Sequence, residues 1–86
     1  MATATDPKRR NGAEAIRLAQ QAVADRADAY RLDTLAAAYA EAGEFDNAVR
    51  EQQRAIEMLK QEGALDMVPD IEGRLALYRR RQPYRE

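Results

Sequence analysis

An all-α fold is predicted by three observations. Alanine supplies 18 of the 86 residues, and Leu, Glu, Gln and Arg dominate the remainder, all of them strong helix formers. Val, Ile and Thr never gather in the alternating runs that mark strands. Apolar residues recur at spacings of three and four, and Gly or Pro interrupts them at intervals of about one helix. The expected architecture is a stack of about four antiparallel helices in one small domain. A chain of this length buries only about 60–65% of the surface its unfolded form exposes, so the core must be thin.

The first helix is expected from about Gly12 to Asp25. Asn11 serves as its N-cap, with Glu14 three residues on in a capping-box arrangement, and Asp6-Pro7 offers an earlier start. Ala15, Ile16, Ala19, Ala22 and Val23 make its apolar stripe. The second helix runs from about Ala29 to Ala42, capped by Asp28, with Leu32, Leu35, Ala36 and Tyr39 on one face. Gly43 falls where a left-handed residue closes a helix.

The third helix spans Phe45 to about Glu62. Asp46 suits its positive start, and Phe45, Ala48, Val49, Ala55, Ile56 and Leu59 share a face that Gln52 interrupts. Gly63 ends it. In the fourth helix, about 67–81, Asp66 is the expected cap and Pro69 lies in the first turn, where a missing N–H costs little. Val68, Ile71, Leu75 and Tyr78 form its stripe. Residues 1–10 are expected to be a flexible segment and residues 82–86, opened by Pro83, a short tail.

Alanine this dense has a packing use. Small residues recur at matched places, Ala36 on the second helix and Ala48 and Ala55 on the third. Antiparallel helices reach the close end of the ~8–10 Å range of axial separations when small side chains meet at the crossing. Leu32, Leu35, Tyr39 and Phe45 then fill the flanks.

The residue inventory excludes most chemistry. The chain has no His, Cys, Ser or Trp, which removes Ser/His and Cys/His nucleophile pairs and the usual zinc and haem ligands. Its four glycines are scattered, so no phosphate-cradling loop exists. Close carboxylates, Asp25 with Asp28 and Asp66 with Asp70, lie at helix ends where capping accounts for them. No enzyme activity, metal or cofactor is expected. The formal net charge is −1, so no overall field draws nucleic acid or an anionic membrane. Arg79-Arg80-Arg81 with Tyr78, Tyr84 and Arg85 could neutralise and stack on nucleic acid, but cations at a helix C-terminus also complement its dipole. Nucleic acid is therefore not the expected partner. No apolar run approaches the ~20 residues needed to cross a bilayer. The first twelve residues lack the apolar segment of a secretory signal, so a cytoplasmic location is the default expectation.

Leu32-x2-Leu35-Ala36-x2-Tyr39, then Gly43, Phe45, Ala48 and Ala55, resembles the tetratricopeptide repeat, a helix–turn–helix unit of 34 residues. Leu32 stands where Trp is usual, Ala36 where Gly is usual, Gln52 at a position usually large and apolar, and Lys60 where proline often ends the unit. Ala15-Ile16 and Ala22-Val23 resemble the second helix of a preceding repeat. The resemblance covers about residues 12–62, with a complete repeat at about 29–62 and a capping helix after it, similar to the C-terminal end of a bacterial-type array.

The resemblance implies a protein–protein interaction scaffold whose groove holds a peptide or partner helix. The groove positions it implies are Tyr30, Asp33, Thr34, Ala37, Ala40 and Glu41. Asp33, Thr34 and Ala37 replace the Lys, Asn and Arg with which the family clamps a C-terminal carboxylate, so that ligand is not implied. About three repeats are typically needed to close a core. An open apolar patch beside Ile16, Leu18 and Val23 is therefore expected, covered by upstream sequence or by a second copy in a homodimer. A purely structural cap of a longer array is the alternative.

Overall fold

The structure, a computed structural model, describes residues 7–83, with side chains from Gly12 onward. Four helices follow one another: α1 (Pro7–Asp25), α2 (Ala29–Glu41), α3 (Phe45–Glu62) and α4 (Val68–Arg79), with a single 3-10 turn (Leu65–Met67) before α4. No strand occurs among the described residues. The fold is all-α.

Two boundaries differ from expectation. Helix α1 begins at Pro7 rather than near Gly12, so Asn11 lies inside the helix and not at its N-terminal boundary. Glu14 pairs instead with Arg17, one turn on. The proposed flexible segment thus contributes residues 7–10 to α1, while residues 1–6 lie outside the described residues. At α4, Asp66 is not the cap. The chain turns through Leu65–Met67 first, and Met67 precedes the helix with no side-chain cap bond.

The other ends form as their residues dictate. Asp28 accepts a hydrogen bond from the Arg31 backbone N–H at 2.8 Å, and the Arg31 guanidinium reaches its other oxygen at 2.6 Å. That backbone bond, with the guanidinium adding to it, holds the Asp28 carboxyl below the usual aspartate range. Gly43 (φ 84°) and Gly63 (φ 78°) close α2 and α3 in the left-handed conformation that glycine adopts without steric cost. At each stop the N–H after the glycine returns to a carbonyl five residues back: Glu44 to Tyr39 at 2.8 Å and Ala64 to Leu59 at 2.9 Å. The end of α4 repeats this pattern, Gln82 N–H to Leu77 at 2.9 Å, with Arg81 (φ 60°) in the glycine's place.

Each helix runs antiparallel to the next. Gly12 at the start of α1 lies against Ala42 just past the end of α2, where an added Cβ would stand 3.4 Å from that of Ala42. Gln20 of α1 donates to the Tyr39 hydroxyl of α2 at 2.8 Å. Gln52 of α3 reaches both neighbours, donating to Asp33 Oδ1 at 3.0 Å and to the Ile71 carbonyl at 3.1 Å.

The core divides into two clusters. Around the α2–α3 turn lie Ile16, Ala19, Leu35, Ala36, Tyr39, Ala40, Ala48 and Tyr78. Toward the opposite turns lie Ala29, Leu32, Ala55, Ile56, Leu59, Val68, Ile71 and Leu75. Ala36, Ala48 and Ala55 are fully buried, as packing sites must be. Ala15, expected on the α1 stripe, is exposed. Two polar residues are buried as well. Gln52 bridges three helices, and Glu51 holds Arg50 at 3.1 Å and Arg54 at 2.8 Å.

Candidate functional site

Helix α2 and the entry to α4 stand on either side of the end of α3, and between them opens a cleft of about 410 Å³. Ala29, Tyr30 and Asp33 line it from α2, Leu59 from α3, and Asp66, Met67, Asp70, Ile71 and Arg74 from the 3-10 turn and α4. The local causes are simple. The Asp28 cap starts α2 so that Tyr30 and Asp33, three residues apart, share its outward edge. The 3-10 turn carries Asp66 and Met67 up to the same opening.

The cleft has an apolar rim over a polar floor. Tyr30 is 76% exposed and Met67 49% exposed. Leu65, two residues before Met67, is exposed as well. On the floor, Asp33 takes the Arg74 guanidinium at 2.5 Å and the Gln52 amide at 3.0 Å, so its charge is matched within the protein. The Gln52 carbonyl oxygen beneath it is buried with no hydrogen-bond partner. Three carboxylates therefore face one guanidinium, and among the described residues Asp66 and Asp70 enter no ion pair. The opening is net acidic.

Of the six expected groove residues, the structure brings only Tyr30 and Asp33 to this cleft. Thr34 is exposed but turns its hydroxyl back to the Tyr30 carbonyl at 3.0 Å. Ala37 is half-buried and Glu41 is exposed, both outside the lining. Ala40 belongs to the core, at 2% exposure, because it lies one turn beyond Ala36 on the packed face. From the α4 side, the sequence marks Asp66 and Asp70 only as capping carboxylates and marks neither Met67 nor Arg74 as lining. Asp70 and Arg74 stand four residues apart, a spacing that alone places them on one side of a helix.

The expected self-association patch is also corrected. Ile16 is buried in the core against α2, and Val23 is half-buried between the two clusters. Only Leu18, 52% exposed, faces outward, because two residues along a helix turn a side chain to the opposite side. At the other end, Arg79, Arg80 and Arg81 are exposed, with the Arg81 guanidinium 6.0 Å from the centre of the Phe45 ring. Tyr78 is 1% exposed and so is a core residue, not a surface for stacking bases. Tyr84 and Arg85 lie outside the described residues.

Among the described residues no group of His, Cys, Asp or Glu is placed to hold a metal ion, and no helix is long and apolar enough to cross a membrane. Comparison of the chain with protein-family models, with curated proteins and with solved structures gave no match.

Proposed function

We propose that this chain is a protein-interaction module of tetratricopeptide-like build, and that its α2–α4 cleft holds a peptide bearing an apolar side chain between basic ones. The observation that carries this reading is the pairing of exposed Tyr30 and Met67 with the unmatched Asp66 and Asp70 around one opening. Tyrosine left in water offers contact area at small ordering cost, methionine offers an adaptable apolar surface, and adjacent carboxylates select lysine or arginine on the ligand. The consecutive antiparallel helices, the left-handed Gly43 and the buried Ala36, Ala48 and Ala55 support the repeat-like build. A role as a mere array cap fits less well, since an array end presents a polar face. The outward residues of α4 include Pro69, Gly73, Ala76 and Leu77.

The test is a titration of fluorescently labelled Lys-Leu-Lys-Leu-Lys into the protein, followed by anisotropy, with Glu-Leu-Glu-Leu-Glu as control. The basic peptide is expected to bind and the acidic one not. Tyr30→Ala should weaken binding about tenfold, as loss of an exposed aromatic anchor does. Equal binding of both peptides, or no effect of Tyr30→Ala, overturns the proposal.

A further inference from the structure

The molecule carries two clefts of opposite sign. In the α2–α4 cleft Asp33, Asp66 and Asp70 stand against Arg74 alone, with Tyr30 and Met67 exposed at the edge. A second cleft, of about 360 Å³, opens where α3 begins and α4 ends. Phe45, Asp46 and Val49 line it from α3, and Tyr78, Arg79 and Arg81 from the last turn of α4 and just beyond. Arg79 and Arg81 are exposed, and among the described residues neither enters an ion pair, with Asp46 or with any other carboxylate. Two guanidinia against one carboxylate leave this end basic. Phe45 and Val49, both half-buried, make part of its wall apolar.

The two ends match in kind as well as in sign. At the acidic end the 3-10 turn presents Leu65, Asp66 and Met67 in succession, all exposed, so a carboxylate stands between two apolar side chains. The basic cleft supplies the counterparts, guanidinia for the carboxylate and an aromatic ring and a valine for the apolar pair. Because α3 and α4 are antiparallel, these two ends are separated by the whole of α4, about 18 Å. One copy therefore does not close its acidic end on its own basic end. Acidic end on acidic end, or basic on basic, sets like charges together. What remains is the acidic end of one copy on the basic end of the next. Such a heterologous contact leaves a free end on each side and so repeats.

We infer that copies of this chain join head to tail, with Asp66 and Asp70 of one copy facing Arg79 and Arg81 of the next and Met67 against its Phe45. This rests on the reading of the α2–α4 cleft as a holder of basic and apolar groups, and names the basic end of a second copy as what it holds. Each joint is smaller than a standard interface, so the association is weak, with a dissociation constant on the order of 100 micromolar.

Sedimentation equilibrium on either side of that concentration tests it, with circular dichroism to show that each variant remains helical. The wild-type mass should pass beyond the dimer at the highest concentrations, and less so in half-molar salt. Asp66→Asn with Asp70→Asn disables the acidic end, and Arg79→Gln with Arg81→Gln disables the basic end. Each double variant alone should stay monomeric. Mixed, the two should form a dimer and stop there, because each then has one sound end to use. A wild type that stays monomeric, or that halts at the dimer, overturns the inference. So do double variants that associate as the wild type does, and a mixture that stays monomeric. The Lys-Leu-Lys-Leu-Lys titration keeps the two failures apart. Peptide binding by a wild type that stays monomeric sinks the head-to-tail contact alone, whereas loss of both sinks the reading of the cleft with it.

Discussion

Near the α2–α3 turn the core is made of Ala19, Ala36, Ala40 and Ala48, with Ile16 and Leu35 between them and two tyrosines at the edge. Near the other two turns it is made of Leu32, Ile56, Leu59, Val68, Ile71 and Leu75, with only Ala29 and Ala55 as small members. The first end gains its density by bringing backbones together, the second by filling the gap with branched side chains. They therefore differ in what breaks them: the alanine end is intolerant of added volume, the aliphatic end of lost volume. Gln52 stands at the border, fully buried and tied to α2 and α4.

The sharpest test sets Leu32→Ala beside Ala36→Leu, both at fully buried sites. Leu32→Ala should cost about 3 kcal/mol through lost transfer energy and a cavity. Ala36→Leu should cost about 2–3 kcal/mol through overpacking, although it adds apolar area. Urea unfolding midpoints measure both. A tolerated Ala36→Leu would mean that the alanine end has slack, and the contrast between the ends would fail.

The border residue gives a smaller effect. Gln52→Leu keeps the volume, removes the unpartnered carbonyl oxygen and leaves Asp33 its Arg74 partner. Its stability should stay within about 1 kcal/mol of wild type, whereas Gln52→Ala should lose about 2 kcal/mol. If Leu proves worse than Ala, the bridging hydrogen bonds rather than the filled space join the two ends.

The smallest effect is at the start of α2, on the aliphatic side. The Asp28 carboxyl titrates below the usual aspartate range when folded, so its ionised form stabilises the fold. That contribution is complete above the unfolded value of about 4 and is lost as pH falls through the lower folded value. Asp28→Asn should lower the melting temperature by a few degrees at neutral pH, and its gap from wild type should shrink below that range. A gap constant with pH would show that the cap acts through hydrogen-bond geometry and not through charge.

Much of this was legible in the sequence where one local rule operates. Leu32, Leu35, Ala36 and Tyr39 are all buried, and Gly43 and Gly63 adopt positive φ where the apolar period stops. Val68, Ile71, Leu75 and Tyr78 hold their face as well. Readings failed where two rules competed. Asn11 has a good capping residue's chemistry, but a helix already started at Pro7 passes through it. Asp66 is likewise a good cap, overtaken by a 3-10 turn. Gln52 looks like an interruption and Glu51 goes unmarked because their partners are on other helices or are flexible arginines, which spacing does not disclose. The cleft was half-read for the same reason. Tyr30 and Asp33 lie on α2, where the repeat pattern points, while Met67, Asp70 and Arg74 enter from a helix outside that pattern.

The stop after α4 carries one last lesson. Glycine turns the chain left-handed freely at two exits, whereas Arg81 must hold φ at 60° against its own Cβ. Such a conformation costs about 1 kcal/mol, and a guanidinium over a half-buried ring returns about half to all of it. The Phe45 ring thus lies under a side chain of the last turn, so the beginning of α3 helps fix the direction in which the polypeptide departs. The protein's single phenylalanine takes part in closing a helix that begins more than twenty positions after it.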